Sequence, residues 1–319
     1  MTDFLGIYFP EFFYVLCGFV CFDTAFRARK NDKAKAGTIL FWTLTGIIFM
    51  LGKVLPSVAI GGMLVVMGCL TVTKQVKIGK FEESTPEFRK TSSEKIGTKI
   101  FLPAISVGVI ALVLSFVKYD VVQDGVVTAT ALNGAIMTGI ACVIALILAF
   151  VICKPKVSET REDTSRLLMQ VGAACLLPQL LGALGSVFAE AGVGNVISGM
   201  ISSVVPQGNI VIGVIIYVFG MVIFTMIMGN AFAAFTVITA GIGVPFVISQ
   251  GGNPAIIGAL GMTAGYCGTL MTPMAANFNI VPCAVLETKD PKWAVIKAQL
   301  PMALMMIVVH IILMLVLGF

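Results

Sequence analysis

Long apolar runs separated by short polar segments dominate the hydrophobic pattern of this chain. A helix needs about 17–25 mostly apolar residues to cross a membrane, and the first half of the sequence offers runs close to that length. We predict membrane spans there over Glu11–Phe26, Thr38–Gly52, Pro56–Thr73, Ile100–Val117, Thr128–Ile152 and Leu167–Ala189. The first five of these runs make residues 1–166 a half with regular helical spans, and Leu167–Ala189 belongs to the half that follows.

The second half of the chain is equally apolar but more interrupted. No Asp, Glu, Lys, Arg or His occurs between Ala191 and Leu286, whereas Asn, Thr, Gly and Pro are frequent. Charges are costly at the bilayer centre, and broken backbone is tolerated there only where it is shielded from lipid or lines a polar cavity. We predict spans over Gly208–Met228, Ala231–Ser249, Pro254–Met271 and Val295–Leu317, a re-entrant segment over Thr272–Leu286 and a second re-entrant candidate over Glu190–Pro206.

The composition narrows the class of protein further. Hydrophobic residues make up 58% of the 319 residues and charged residues only 12%, against about a quarter charged in soluble domains. We predict an all-α integral membrane protein with about ten transmembrane helices, as a single polytopic domain over residues 1–319. Residues 167–319 form its broken-helix half, with re-entrant hairpins. The net charge of +5 comes from short loops and does not indicate a nucleic-acid partner.

The distribution of basic residues predicts the orientation. Basic residues follow the first, third and fifth spans: Arg27, Arg29, Lys30, Lys33 and Lys35; Lys74, Lys77, Lys80, Arg89, Lys90, Lys95 and Lys99; Lys154, Lys156, Arg161 and Arg166. Loops rich in Lys and Arg stay in the cytoplasm. We therefore expect the N-terminus to lie outside the cell, and the same alternation places Glu287–Trp293 inside and the C-terminus outside.

A polar constellation inside the uncharged region is the candidate site. Glycine and proline break helices and expose half-helix N-termini, which hold carboxylates, while free carbonyls and Asn or Thr oxygens hold Na⁺. Asn253-Pro254 is typical of a helix start. The alternative is close helix packing, with Asn and Thr bonding between helices. The candidate residues for substrate or ion binding are Asn230, Thr236, Gly252, Asn253, Thr269, Thr272, Asn277 and Asn279.

Three motifs carry a resemblance to a known family. They are Gly-Asn-Ala-Phe from Gly229, Gly-Gly-Asn-Pro from Gly251, and Gly-Thr-Leu-Met-Thr-Pro-Met-Ala-Ala-Asn-Phe-Asn from Gly268. With them the chain resembles, over nearly its whole length, a bacterial permease family catalogued mainly as a membrane domain of unknown function. That family is similar to the ion-transporter superfamily of gluconate, citrate and dicarboxylate carriers. The chain lacks an obvious Ser-Asn-Thr triplet like that of the dicarboxylate carriers, which argues against a dicarboxylate site.

The resemblance implies a setting for the protein. The family travels with a second, smaller membrane protein, as if one transporter were split in two, and resides in the bacterial cytoplasmic (inner) membrane. Its gene neighbourhoods often include pyroglutamyl peptidase or 5-oxoprolinase, which implies 5-oxoproline as a candidate substrate. We therefore expect a second membrane subunit and a small carboxylate substrate.

Two function classes compete. The favoured one is a subunit of a secondary active transporter for a small organic anion, coupled to Na⁺ or H⁺, with no cofactor besides a coupling Na⁺ and no metal site. The alternative is a non-transporting scaffold or regulatory subunit of a partner permease. An enzyme is disfavoured because the uncharged region offers no His, Asp or Glu for catalysis. His310, alone in the last span, is interpreted as a packing or hydrogen-bonded residue rather than a proton relay.

Overall fold

The chain folds into two compact units, Met1–Met169 and Gln170–Phe319. The computed structural model describes residues 8–79, 81, 85–123, 126–202 and 209–319. Lys80 lies outside the described residues, as do residues 203–208, which end the second re-entrant candidate and begin the next predicted span. The division between the units lies close to the predicted boundary between regular and broken spans.

Helices make up most of the N-terminal unit. They are α1 (Phe9–Arg27), α2 (Lys35–Leu51), α3 (Ser57–Val72), α4 (Pro86–Ile96), α5 (Phe101–Ser115), α6 (Gly134–Cys153) and α7 (Val157–Val171), the last of which continues into the second unit, with 3₁₀ turns at Ala28–Lys30 and Gly97–Ile100. Strands β1 (Lys118–Gln123) and β2 (Val126–Ala131) form one antiparallel hairpin between α5 and α6.

A charged cluster fastens helix α7 to helix α1 in this unit. The Asp23 carboxylate of α1 accepts a hydrogen bond from Arg27 Nε at 3.1 Å, one turn along the same helix. It also accepts hydrogen bonds from Arg161 of α7, including one from Arg161 Nε at 3.3 Å. Because one carboxylate serves two guanidinium groups, the start of α7 is held beside the end of α1.

The C-terminal unit consists of helices of very unequal length. They are α8 (Leu177–Glu190), α9 (Val193–Ser202), α10 (Ile210–Met228), α11 (Ala231–Ile238), α12 (Val244–Phe246), α13 (Pro254–Leu270), α14 (Ile280–Val285) and α15 (Ala294–Leu317). A π-helical turn at Thr239–Gly243 joins α11 to α12, and 3₁₀ turns lie at Gly172–Leu176 and Ile248–Gln250. The π turn contains Gly241 and Gly243, and Pro245 follows it.

Helix α10 is the centre of this unit. Glycines let the α13 backbone come close to it, with Gly261 against Tyr217 and Gly268 against the Val222 carbonyl. This order of contacts makes α10 and α13 parallel. The α11–α12 segment runs back along α10, because Gly220 faces Ile238 and Gly213 faces Phe246. Helix α15 runs antiparallel to α13, and the amide of Asn253 at the start of α13 donates to the Gly318 carbonyl at 2.8 Å.

The described helices include several that match a bilayer. Six are long and apolar enough to cross one: Phe9–Lys30, Pro86–Ser115, Gly134–Cys153, Ile210–Met228, Ala231–Gln250 and Ala294–Leu317. Lys35–Leu51, Ser57–Val72 and Pro254–Leu270 are shorter apolar helices. The structure thus confirms a helical, multi-pass membrane protein. The count of about ten spans and the orientation stay predictions.

Two predicted spans are wrong in their bounds. The helix of the fifth predicted span, α6, begins at Gly134 rather than Thr128. The preceding Val- and Thr-rich residues favour a strand, and Asn133 Oδ1 caps the helix by accepting from the Ala135 amide at 2.8 Å. The predicted span Leu167–Ala189 is interrupted near its start. Gly172 adopts a left-handed φ of 53°, which glycine tolerates, and a 3₁₀ turn separates α7 from α8.

Candidate functional site

The first chain break of the candidate site separates α10 from α11. Gly229 ends α10 with a left-handed φ of 67°, the conformation in which helices often terminate on glycine. Asn230 then caps α11, because its Oδ1 accepts from the amides of Phe232 at 2.8 Å and Ala233 at 3.4 Å. The Gly-Asn pair thus ends one helix and starts the next within two residues.

The second chain break follows α13 and is organised by Asn279. This side chain is fully buried. Its Nδ2 donates to the carbonyls of Thr269 and Thr272, both at 2.7 Å. Its Oδ1 accepts from Gln299 Nε2 of α15 at 2.9 Å. One amide therefore ties the end of α13, the loop after it and α15 together.

The two breaks adjoin each other. The Thr272 hydroxyl, in the second break, donates to the Met226 carbonyl near the end of α10 at 2.9 Å. The Tyr266 ring of α13 contacts Phe232 of α11 at 6.2 Å between centroids and Phe278 of the loop at 6.0 Å. Because α10 and α13 are parallel, their C-terminal ends lie at one level. We call Gly229–Asn230 together with Met271–Asn279 the paired breaks.

The other predicted residues near this end differ in their surroundings. Asn277 is exposed in the loop of the paired breaks. Thr269 is buried and its hydroxyl donates to the Tyr266 carbonyl of its own helix at 2.7 Å. Thr236 is exposed on α11 and donates to the Ala233 carbonyl at 3.0 Å. Of these three, Asn277 presents its amide away from the protein interior.

Gly252 and Asn253 lie at the opposite end of α13. Asn253 caps that helix, with Oδ1 accepting from Ala255 at 3.0 Å and Ile256 at 3.4 Å, which confirms the predicted helix start. Gly252 is buried against the Val247 carbonyl, where a side chain would not fit. Seventeen residues of α13 separate them from the paired breaks, about 26 Å at 1.5 Å per residue. The structure therefore divides the predicted residues into two groups.

A buried hydroxyl lies next to the paired breaks. Thr225 Oγ1 on α10 is enclosed and makes no hydrogen bond to any residue that the structure describes. It faces Gly265 of α13 beside Ala231, the first residue of α11. A hydroxyl oxygen of this kind suits a hard cation such as Na⁺. Within the described residues, no group of three or more His, Cys, Asp or Glu side chains is arranged to hold a metal ion.

Two groups that hold the paired breaks together were not predicted from the sequence. Gln299 completes the hydrogen bonds of Asn279, and its signal was an amide within an otherwise apolar run of α15. The Met226 carbonyl has no signal in the sequence, because any residue supplies a carbonyl. The side chains of the paired breaks are uncharged. The α11 N-terminus brings partial positive charge to them, and the C-terminal ends of α10 and α13 bring partial negative charge.

Comparison with known proteins places the chain in a family. The model of a family described as protein of unknown function (DUF979) matches residues 11–319. The chain belongs to this family. No curated protein and no solved structure matches the chain. The family match spans both units, so the paired breaks are part of the region it covers.

Proposed function

We propose that this chain is a subunit of a secondary active transporter for a small organic anion, coupled to Na⁺ or H⁺. The paired breaks carry the proposal. Two helix interruptions lie side by side within the uncharged stretch from Ala191 to Leu286, joined by the hydrogen bond from Thr272 to Met226. Adjoining broken helices are how secondary transporters build substrate and ion sites within a bilayer.

The chemistry of the paired breaks fits a monoanion with further polar groups. The α11 N-terminus supplies partial positive charge for one carboxylate, and the exposed Asn277 amide both donates and accepts hydrogen bonds. A substrate such as 5-oxoproline has one carboxylate and one lactam amide, which match these groups. A second, smaller membrane subunit in the bacterial inner membrane completes the proposed transporter.

Uptake into proteoliposomes tests this function. Labelled 5-oxoproline, gluconate and a C4-dicarboxylate would be offered to vesicles containing this chain, with and without the smaller membrane protein, under imposed Na⁺ or pH gradients. We expect saturable uptake of 5-oxoproline that requires both chains and one of the gradients. Uptake by this chain alone would contradict the split-transporter proposal, and uptake of the dicarboxylate alone would contradict the substrate class.

A second candidate function is a scaffold or regulatory subunit of a partner permease. It is favoured by the hydrogen bonds inside the paired breaks. Asn230 is used as a helix cap, and Asn279, Thr269 and Thr272 bond to the protein itself. A further arm of the assay, with vesicles that contain the smaller membrane protein alone, separates the two functions: a partner that transports equally well without this chain would leave the scaffold role and remove the transporter role.

A further inference from the structure

A cleft lies at the end of helix α6 in the N-terminal unit. Its volume is about 730 Å³, and its walls include the last two turns of α6, the first three turns of α7 and the first turn of α4. Leu146 and Phe150 of α6 line it together with Phe88 of α4, and carboxylates of α7 line its other side. The cleft thus has one apolar wall and one polar wall.

The cleft crosses the boundary between the hydrocarbon and the headgroups of a bilayer. Helix α6 has 20 residues, about 30 Å at 1.5 Å per residue, which matches the hydrocarbon core of a bilayer. Its last residue, Cys153, therefore lies near the headgroups, and Lys154 and Lys156 follow it. Leu146 lies seven residues before Cys153, about 10 Å deeper in the bilayer. A ligand that fills the cleft has to be apolar at one end and polar at the other.

The apolar wall continues into the outer face of α6. Leu146, Ile147 and Val151 expose 51%, 57% and 63% of their surfaces on a helix that is long and apolar enough to span a membrane. Such a face contacts acyl chains in a bilayer. An acyl chain can therefore enter the cleft along α6 without crossing water, and it would also cover the exposed ring of Phe88.

The polar wall is mainly acidic. Glu159, Glu162 and Asp163 line it together with Arg166. Arg166 Nε donates to Asp163 Oδ1 at 2.8 Å, and Lys156 Nζ lies 3.5 Å from Glu159 Oε1. Glu162 forms no ion pair with any residue that the structure describes. A carboxylate of this kind suits a primary ammonium group, which donates charge-assisted hydrogen bonds.

Two groups along the cleft suit a phosphate. A guanidinium such as that of Arg166 matches phosphate oxygens in shape and charge. Thr85 Oγ1 at the start of α4 accepts from the Phe88 amide at 3.4 Å, so its hydroxyl hydrogen can be donated to a phosphate oxygen. Three carboxylates beside one guanidinium disfavour a headgroup with net negative charge. The lining instead matches a zwitterionic headgroup.

We propose that this cleft binds a phospholipid whose headgroup ends in a primary ammonium, as in phosphatidylethanolamine. The ammonium binds Glu162, and the phosphate binds Arg166 and Thr85. One acyl chain lies along Leu146 and Phe150. A basic segment of a partner protein would match the carboxylates but not the apolar wall, which extends about 10 Å below the headgroups. The lipid site does not depend on the proposed transport function.

Melting temperatures in lipids of defined headgroup test this site. The full chain, stripped of lipid in detergent, would be given phosphatidylethanolamine or phosphatidylcholine with identical acyl chains. A trimethylated nitrogen has no N–H to donate, so we expect phosphatidylethanolamine to raise the apparent melting temperature by about 2–4 °C more. Glu162→Gln should remove most of this difference. Glu94→Gln, which changes an exposed carboxylate of α4 outside the cleft, should keep it. Equal stabilisation by the two lipids, or a difference that survives Glu162→Gln, would overturn the proposal.

A phosphatidylethanolamine with a photoreactive acyl chain locates the bound lipid. We expect cross-links to peptides that contain Leu146–Phe150, and we expect unlabelled phosphatidylethanolamine to compete better than phosphatidylcholine. Equal competition by the two lipids would contradict the role of the ammonium. Cross-links should persist in the complex with the smaller membrane protein. Their loss there would assign the cleft to that subunit and not to a lipid.

Discussion

At the scale of single residues, the paired breaks are held together mainly by Asn279. Replacing it with alanine removes three hydrogen bonds. The Thr269 carbonyl and the Gln299 amide lose the partner that Asn279 provides, whereas the Thr272 carbonyl keeps a longer bond from the Ala275 amide at 3.4 Å. Each buried polar group left unpaired costs about 1–3 kcal/mol. We predict that Asn279→Ala markedly lowers the apparent melting temperature in detergent, measured by the amount of protein that stays monodisperse after heating.

Asn277→Ala is the matched control, because Asn277 lies two residues away in the same loop but is exposed. Its melting temperature should stay close to that of the wild type. Equal losses in the two variants would contradict the assignment of Asn279 as the organising residue. In the uptake assay, by contrast, we expect a large effect of this variant: Asn277→Ala should abolish uptake in a complex that remains stable. Unchanged uptake kinetics would remove Asn277 from the substrate site.

Gly261 of α13 leaves room for the Tyr217 side chain of α10. A methyl group there would overlap the hydroxyl and ring of Tyr217, which is buried and bonded to Thr239 Oγ1 at 2.8 Å. Forcing extra atoms into a packed interior costs about 1–3 kcal/mol. We predict that Gly261→Ala lowers the melting temperature.

Gly258→Ala tests whether this loss comes from the Tyr217 overlap. It makes the same change on the same helix, where the added methyl meets only a Phe235 ring carbon at 3.7 Å. Alanine favours a helix over glycine by up to about 1 kcal/mol, so this variant should be as stable as the wild type or more so. A similar loss in both variants would show that α13 tolerates no added methyl group, whatever its neighbour.

At the scale of elements, the π turn depends on close contact with α9. A methyl group on Gly241 would press on the Gly194 carbonyl at 2.5 Å. We predict that Gly241→Ala displaces α9 and lowers stability, whereas Gly199→Ala, whose methyl meets no atom within 4 Å, does not. Thermal stability of the two variants checks this. An unchanged thermal stability of Gly241→Ala would mean that the π turn accommodates the methyl group without displacing α9.

The start of α15 predicts a dependence on pH. Lys297 donates to Asp290 Oδ2 at 3.0 Å, and the amide of Trp293 donates to Oδ1 at 3.0 Å. These hydrogen bonds lower the pKa of Asp290. A lowered carboxyl pKa adds stability above the ordinary value of about 3.9 and loses it as pH falls through the folded-state pKa. The gap in melting temperature between wild type and Asp290→Asn should therefore shrink in acid. A gap independent of pH would contradict this.

Some elements were predictable from the sequence and others were not. The pairs Asn253-Pro254 and Gly229-Asn230 indicate helix ends in the sequence, because helix capping depends on the types of a few neighbouring residues. The hairpin Lys118–Ala131 was missed, because most of it lies between two predicted spans and only its last residues, from Thr128, were assigned to a helix. The distance between Asn253 and Asn279 was not predictable for another reason. It depends on the whole length of α13, whereas the motifs indicate only that both residues lie in broken segments.

At the scale of the whole molecule, orientation decides which side of the membrane each group of predicted residues faces. The basic loops predict that Glu287–Trp293, and with it the end of α13, lies in the cytoplasm. Asn277 should then lie toward the cytoplasm and Asn253 toward the outside, since α13 separates them. We predict that Asn253→Cys reacts with an impermeant maleimide in whole cells and Asn277→Cys only in inverted vesicles.

The wild-type chain, with its eight cysteines, sets the background for this labelling, and both positions are exposed in the structure. The two variants together test the orientation and the transmembrane course of α13 separately. A reversed labelling pattern would contradict the predicted orientation but would still place Asn253 and Asn277 on opposite sides of the membrane. Labelling of both from one side would contradict the transmembrane course of α13, and with it the placement of the paired breaks at one end of a spanning unit. The predicted pattern would instead make the paired breaks the cytoplasmic end of the proposed transport path, so that an anion entering from outside meets Asn253 first.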